Sequence, residues 1–287
     1  MTIREGKQLI KEAILALYDE REAGNIATLL MEWISGKNRM EQLMDKDLPL
    51  TSQQADQLLQ AGAKLRIGEP VQYIIGEAWF MGQPFLVTRN TLIPRPETEE
   101  LVEWMMKDLA QQATTRLRML EVGSGTGCIP ISLKKKFPEL QVQSVDISRG
   151  AIQTARENAA RLHAAVDFIE MDFLTPANRE QLGQTDLIVS NPPYIKASER
   201  ESMHKNVVEF EPATALFVPD QDALIFYKAI RNFSETHLTP NGKIYLEINQ
   251  QLGKDVLQLF NNGHFSAVLQ KDLQGNDRMI RAVRLAS

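Results

Sequence analysis

From residue 117 onward the chain alternates short apolar runs with amphipathic ones, and no other feature restricts its possible folds as much. Residues 117–122, 141–146, 166–170, 187–190 and 243–248 read as strands. Residues 129–137, 149–162, 223–237 and 252–261 repeat their apolar side chains at helical spacing. Ser148 stands where the second of these helices needs an N-cap. Such alternation implies an α/β protein, a mostly parallel sheet with helices on both faces. Two final runs, 266–273 and 278–285, are joined by a turn at Gly275-Asn276 that is too short for a parallel crossover. They are expected as an antiparallel pair at one edge of that sheet.

Upstream the texture is different. Ile3, Leu9, Ile10, Ala13, Ile14 and Leu17 recur at helical spacing. A second set, Ile26, Leu29, Leu30, Trp33 and Ile34, stops at Gly36. A third, Ala55, Leu58, Leu59, Ala61 and Leu65, follows the N-cap residue Thr51 and ends before Gly68 and Pro70. Residues 71–87 read as extended, with a turn at Met81-Gly82-Gln83-Pro84. The expected layout is a small helical domain at 1–70, a β-hairpin linker at 71–93 and an α/β domain at 94–287. The helical domain serves either as a structural appendage or as a surface for partner recognition.

Composition narrows the class. The 287 residues are 43% apolar, enough for an ordinary core, and Cys128 is the only cysteine, so no internal disulfide can form. No run of 18 apolar residues occurs and the first residues carry no apolar leader, so a soluble, cytoplasmic protein without membrane association is expected. A net charge of −5 argues against broad affinity for a nucleic-acid backbone.

Three motifs stand at the ends of three strands. The first is Glu121-Val122-Gly123-Ser124-Gly125-Thr126-Gly127, directly after a strand and opening a helix. Glycines there permit a tight turn and let a ligand approach the backbone, although a tight strand-to-helix turn alone would use them too. Their spacing is G-x-G-x-G, not the dinucleotide pattern. The second is Asp146, which ends the next strand and could accept hydrogen bonds from the vicinal hydroxyls of a ribose, or face the dipole of the helix that follows. The third is Asn191-Pro192-Pro193-Tyr194. Its two prolines remove N–H donors and hold the asparagine amide rigidly beside backbone carbonyls, a set of acceptors suited to an –NH₂ group. Open α/β sheets bind ligands at the carboxyl ends of their strands, where all three motifs sit.

With these motifs the sequence resembles a class I S-adenosylmethionine-dependent methyltransferase of Rossmann-like fold, in the group that methylates amino or amide nitrogens. Leu92-Ile93-Pro94-Arg95-Pro96-Glu97-Thr98-Glu99, followed by Leu101-Val102, is similar to a signature of the peptide chain release factor glutamine methyltransferases. So are Gly68-Glu69-Pro70-Val71-Gln72-Tyr73-Ile74, Phe210-Glu211-Pro212 with Ala215-Leu216, and the stretch from Asp272 to Arg278. One departure is Leu252-Gly253-Lys254, where that family often carries Gln-Gly.

The resemblance implies that Gly123, Ser124, Gly125, Thr126 and Gly127 wrap the methionine part of S-adenosylmethionine. It implies that Asp146 holds the ribose, Asp172 and Phe173 border the adenine, and Thr98 closes over the cofactor. Asn191, Pro192, Pro193 and Tyr194 would bind the target glutamine, with Asn191, Pro192 and Tyr194 carrying catalysis. The implied partner is a class I release factor, methylated in its Gly-Gly-Gln loop by a monomeric enzyme without metal or direct nucleic-acid contact. Glutamine in a ribosomal protein and adenine in DNA remain as alternative targets.

Other residues invite blander readings. His163, His204, His237 and His264 lack ligand spacing, and Cys128 at a helix start is expected to pack rather than react. Lys134-Lys135-Lys136 reads as a solvated helix face, and Trp79 and Phe80 as hairpin packing.

Overall fold

The computed structural model describes residues 1–111 and 116–286, and the chain divides into two units. The first comprises Met1–Glu77 together with His204–Phe210. It contains helices α1 (Ile3–Ile14), α2 (Glu20–Ser35), α3 (Arg39–Met44), α4 (Ser52–Arg66) and α5 (Val71–Ile75). Their ends follow from the sequence. Thr2 with Glu5 and Thr51 with Gln54 form reciprocal capping boxes, and Gly36 closes α2 in the left-handed conformation. Ile3, Ile10, Ile14, Leu30, Met31, Leu58 and Leu65 form the unit's core. The late segment joins it through His204, which stacks on Tyr18, and Asn206, whose amide donates to the Tyr18 hydroxyl at 3.1 Å.

The reading of 71–75 as extended is corrected. Val71-Gln-Tyr-Ile-Ile is rich in strand formers, but Pro70 starts a helical turn and Gly76, left-handed at φ +80°, stops it. Buried Val71 holds that turn in the helical core. Local propensity is a weak preference that tertiary packing overrides.

The second unit, Ala78–Met203 with Glu211–Ser287, carries the sheet. A two-stranded hairpin, β1 (Glu77–Phe80) and β2 (Gln83–Leu86), precedes α6 (Pro96–Ala110). Then follow β3 (Arg118–Val122), α7 (Cys128–Lys136), β4 (Gln141–Asp146), α8 (Arg149–Arg161), β5 (Asp167–Glu170), α9 (Pro176–Arg179) and β6 (Thr185–Ser190). In chain order β7 (Ile195–Lys196) comes next, then α10 (Lys205–Phe210), the helix of the first unit's late segment, then β8 (Phe217–Val218), which pairs parallel with β7. The chain ends with α11 (Ile225–His237), β9 (Leu238–Glu247), α12 (Gly253–Phe260), β10 (Phe265–Lys271) and β11 (Asp277–Arg284).

The main sheet has seven strands in the order β10-β11-β9-β6-β3-β4-β5. Its strands β3, β4, β5, β6 and β9 are parallel, and β11 and β10 add antiparallel at one edge, as the short connecting turn requires. Successive residues face opposite sides: Met119, Leu187, Val189 and Tyr245 pack with α6, α7 and α8, whereas Leu120, Ile188, Ile244 and Leu246 pack with α11 and α12. Phe80 lies in the first of these cores, but Trp79 is 64% exposed, which corrects the expectation that both pack in the hairpin. Lys134 donates to the carbonyls of Pro138 and Leu140, closing the end of α7, while Lys135 and Lys136 are exposed. Among the described residues, no helix is long and apolar enough to cross a membrane.

Candidate active site

Chain order reverses between β3 and β6: the chain proceeds from β3 outward to β4 and β5, then returns to the other side. The carboxyl ends of these strands therefore diverge into a crevice, the place where open α/β sheets hold ligands. A cavity of about 330 Å³ opens there. Gly123, Ser124, Gly125, Thr126, Asp146, Asp172, Phe173, Asn191, Pro193 and Thr98 all line it. Gly127, Pro192 and Tyr194 do not: Gly127 packs against Ile131, Phe168 and Ala155, Tyr194 bonds to Glu247, and Pro192 is buried next to Asn191 in the chain.

The glycine turn is built for close approach. Gly123, Gly125 and Gly127 all have positive φ, at +90°, +50° and +76°. At Gly127 a Cβ would come within 3.0 Å of Ile131, 3.1 Å of Phe168 and 3.2 Å of Ala155, so this glycine seats α7 on the sheet. At Gly125 a Cβ would meet nothing of the protein within 4 Å, so the turn faces open space. Asp146 braces the turn: its carboxylate accepts from the Gly125 N–H at 3.0 Å and the Ser148 N–H at 2.8 Å. Burial nevertheless pushes its carboxyl upward from the ordinary range, against these hydrogen bonds.

A second carboxylate lines the same cavity. Glu121 is 1% exposed and accepts a hydrogen bond from the Ser144 hydroxyl. Burial holds it well above its ordinary value, and the nearby charge of Asp146 adds to the effect. In the sequence it is merely the first letter of the glycine motif; an acid between the apolar strand residues Leu120 and Val122 was the available signal.

Around the adjacent strand end, Asp172 caps its own turn, accepting from the Leu174 N–H and the Thr175 hydroxyl. Phe173 packs edge-on against Phe233 with the Arg179 guanidinium over its ring. The loop 90–95 is tied down by Glu211, whose carboxylate accepts from the Ile93 N–H at 3.1 Å and pairs with Arg95 at 2.5 Å.

The asparagine motif is held by a residue the sequence reading does not single out. Glu247, at the end of β9, is 2% exposed. One of its oxygens accepts from the Thr98 hydroxyl at 2.6 Å and the other from the Tyr194 hydroxyl at 3.2 Å. Thr98 in turn accepts from the Asn191 side-chain amide at 3.0 Å. Burial raises the Glu247 carboxyl, opposed by these donors and by the positive charge of Arg278. The register explains the meeting: Leu246 of β9 lies opposite Ser190 of β6, so Glu247 stands beside Asn191. The pattern Lys243-Ile-Tyr-Leu-Glu-Ile, an acid ending an apolar strand, carried that signal too.

Cys128 has no catalytic setting: desolvation pushes its thiol up to about 12, where the nucleophilic thiolate is scarce at neutral pH. Among the described residues, no group of three or more His, Cys, Asp or Glu side chains is arranged to hold a metal ion.

Comparison with known proteins fits this geometry. Residues 98–215 match the methyltransferase small domain family and residues 8–76 the PrmC N-terminal domain family. A release factor glutamine methyltransferase of Flavobacterium psychrophilum is 41% identical over 283 residues, covering 98% of this chain and 99% of the relative. The chain belongs to the release factor glutamine methyltransferase family. A further member, from Bacteroides thetaiotaomicron, is 38% identical over 276 residues, covering 96% of this chain and 98% of the relative. A solved methyltransferase from Pyrococcus furiosus shares the fold at 16% identity and a TM-score of 0.51, over 83% of this chain and 100% of its own. Its sheet is thus the class I, Rossmann-like methyltransferase sheet, with an N-terminal helical region attached.

Proposed function

We propose that this chain transfers a methyl group from S-adenosylmethionine to the side-chain amide nitrogen of the glutamine in the Gly-Gly-Gln loop of class I release factors. The observation that carries the reading is the juxtaposition, in one cavity, of a glycine turn braced by Asp146 with a rigidly held Asn191. The residues present suit the cofactor. Gly123 and Gly125 leave room beside the backbone for its methionine part, and Asp146 offers acceptors for ribose hydroxyls. Glu121 supplies negative charge toward a cationic ligand, and Asp172 and Phe173 form the wall assigned to the adenine. When bound, S-adenosylmethionine supplies an electrophilic sulfonium methyl group.

The chain's own task is to make a poor nucleophile competent. An amide lone pair is delocalised into its carbonyl, so the nitrogen must be turned toward the methyl group and its growing positive charge favoured. The Asn191 side-chain oxygen and the Pro192 carbonyl accept the two amide N–H bonds, which orients the nitrogen and places preorganised negative dipoles beside it. Pro193 contributes to the cavity wall, while Tyr194, anchored on Glu247, fixes the end of the turn.

A three-residue loop offers little contact area, whereas specific protein interfaces bury on the order of 1,200–2,000 Å². The N-terminal helical unit supplies the additional recognition surface in this reading. Methylation assays with labelled S-adenosylmethionine, offering purified release factor, ribosomal proteins and DNA separately, test the proposal. Label in the release factor glutamine alone is expected; label only in a ribosomal protein or DNA overturns it. Asn191→Ala should retain cofactor affinity while turnover falls roughly 10²–10³-fold, the scale of losing one preorganised group.

A further inference from the structure

Asn191 can present either its oxygen or its –NH₂ group to the cavity, and only the oxygen can accept from a target amide. What decides the orientation lies behind it. Thr98 is buried, at 3% exposure, and sits between Asn191 and Glu247. Its hydroxyl has one proton. That proton is donated to one Glu247 oxygen at 2.6 Å, while the other Glu247 oxygen accepts from the Tyr194 hydroxyl. The Thr98 oxygen then has lone pairs left and no proton, and the only Asn191 group that can bond to it is the –NH₂. The Asn191 oxygen is left for the cavity.

We infer that Glu247 and Thr98 are positioning residues, a one-way hydrogen-bond chain that fixes which end of the Asn191 amide meets the substrate. This rests on the reading of Asn191 as the acceptor for the target glutamine. It assigns Thr98 a role different from closing over the cofactor, although Thr98 borders the same cavity. Tyr194 strengthens the chain's direction, because its hydroxyl donates to the second Glu247 oxygen and leaves that carboxylate an acceptor on both sides. The Tyr227 hydroxyl bonds the Glu247 backbone carbonyl at 3.1 Å and holds the strand end in place. Misplacing a reacting group by about 1 Å costs on the order of 10²-fold in rate, so the chain has ample leverage without touching substrate.

The test compares Thr98→Val, Thr98→Ser and Glu247→Gln in the full chain. Thr98→Val is nearly isosteric and breaks the chain; kcat on release factor should fall about 10²-fold. Cofactor affinity by calorimetry should stay within about twofold, the expected result for a group that does not hold the cofactor. Thr98→Ser restores the hydroxyl and should restore kcat. Glu247→Gln keeps the shape but can offer Thr98 a donor as well as an acceptor, so kcat should fall there too.

Undiminished kcat in Thr98→Val or Glu247→Gln, or no rescue by Thr98→Ser, overturns the inference. So does a loss confined to cofactor affinity. A substrate-free readout separates this idea from the function it rests on. In protein labelled with ¹⁵N-asparagine, the Asn191 side-chain amide signal should shift in Thr98→Val and return in Thr98→Ser. If the wild-type chain labels no release factor while this signal behaves as expected, the proposed substrate is wrong and the chain of hydrogen bonds stands. An Asn191 signal indifferent to Thr98 overturns the chain itself.

Discussion

Glu121 is buried and Asp146 partly buried at one cavity, and desolvation pushes both carboxyls above their ordinary values. A cation bound between them would favour their ionised forms and lower both values. Binding of S-adenosylmethionine should therefore release protons at pH values above about 4.5 and within the raised range, measurable by calorimetry in buffers of different ionisation enthalpy. Zero proton release throughout that range would count against the charge assigned to Glu121. Stability runs the other way. A carboxyl raised in the folded state stabilises the fold below its unfolded value, and that contribution disappears as pH rises through the folded value. Glu121→Gln should accordingly raise the melting temperature of the cofactor-free protein at neutral pH while weakening cofactor binding about tenfold or more. Asp146→Ala should weaken the same binding by about 1.5–3 kcal/mol, the scale of hydrogen bonds to a charged group. Unchanged affinity in a folded Asp146→Ala protein would remove that residue from the site.

Among the elements, the glycine turn gives the sharpest contrast. Gly127→Ala places a Cβ against Ile131, Phe168 and Ala155 at a backbone φ of +76°, so it should destabilise the protein by about 1–3 kcal/mol in urea unfolding. Gly125→Ala meets open space and should cost less stability, yet weaken cofactor binding more. Equal effects of the two changes on both measurements would mean the turn is structural only. The elements also show what was readable in advance. β4 spans the residues its alternation predicts, and Ser148 caps α8 by accepting from the Ala151 N–H, because both signals are local. The helix α6 carries Pro96 at its start, Glu97 and Glu99 in its first turn, and Leu101, Val102, Met105 and Leu109 on its buried face. The motif from Leu92 to Glu99 runs into its first turn, so its apolar face shows only from Leu101 onward. The strand expected at 243–248 begins at Leu238, since Thr185 pairs with Leu238 but Leu187 with Lys243, a register shift across Pro240-Asn241-Gly242 that only the partner strand reveals. Glu247 was legible only as an acid ending an apolar strand; its meaning depends on Thr98, 149 positions away in sequence.

At the scale of the whole molecule, the open matter is how a methyltransferase domain common to many substrates becomes specific for one protein. In the proposed reading the cavity orients an amide, and the contact area that a specific protein interface needs is recruited elsewhere. That reading assigns the surface to the helical unit. On α3, Met40, Leu43 and Met44 are 64%, 57% and 71% exposed, a cluster of large apolar side chains on a helix of only six residues. Exposed apolar groups that lie together mark interaction sites more often than scattered ones do. Methionine suits such a surface because its unbranched chain adapts to the partner's shape. Replacing Met40 and Met44 together by serine should raise KM for intact release factor by about tenfold, the consequence of losing roughly 1.4 kcal/mol of contact. Cofactor affinity and kcat at saturation should not change, and methylation of a short Gly-Gly-Gln peptide, slow in both proteins, should be the same. If KM for the intact factor is unaltered, recognition does not run through α3. If the peptide is methylated as efficiently as the whole factor by the unmodified chain, no second surface is needed and the loop alone carries the specificity.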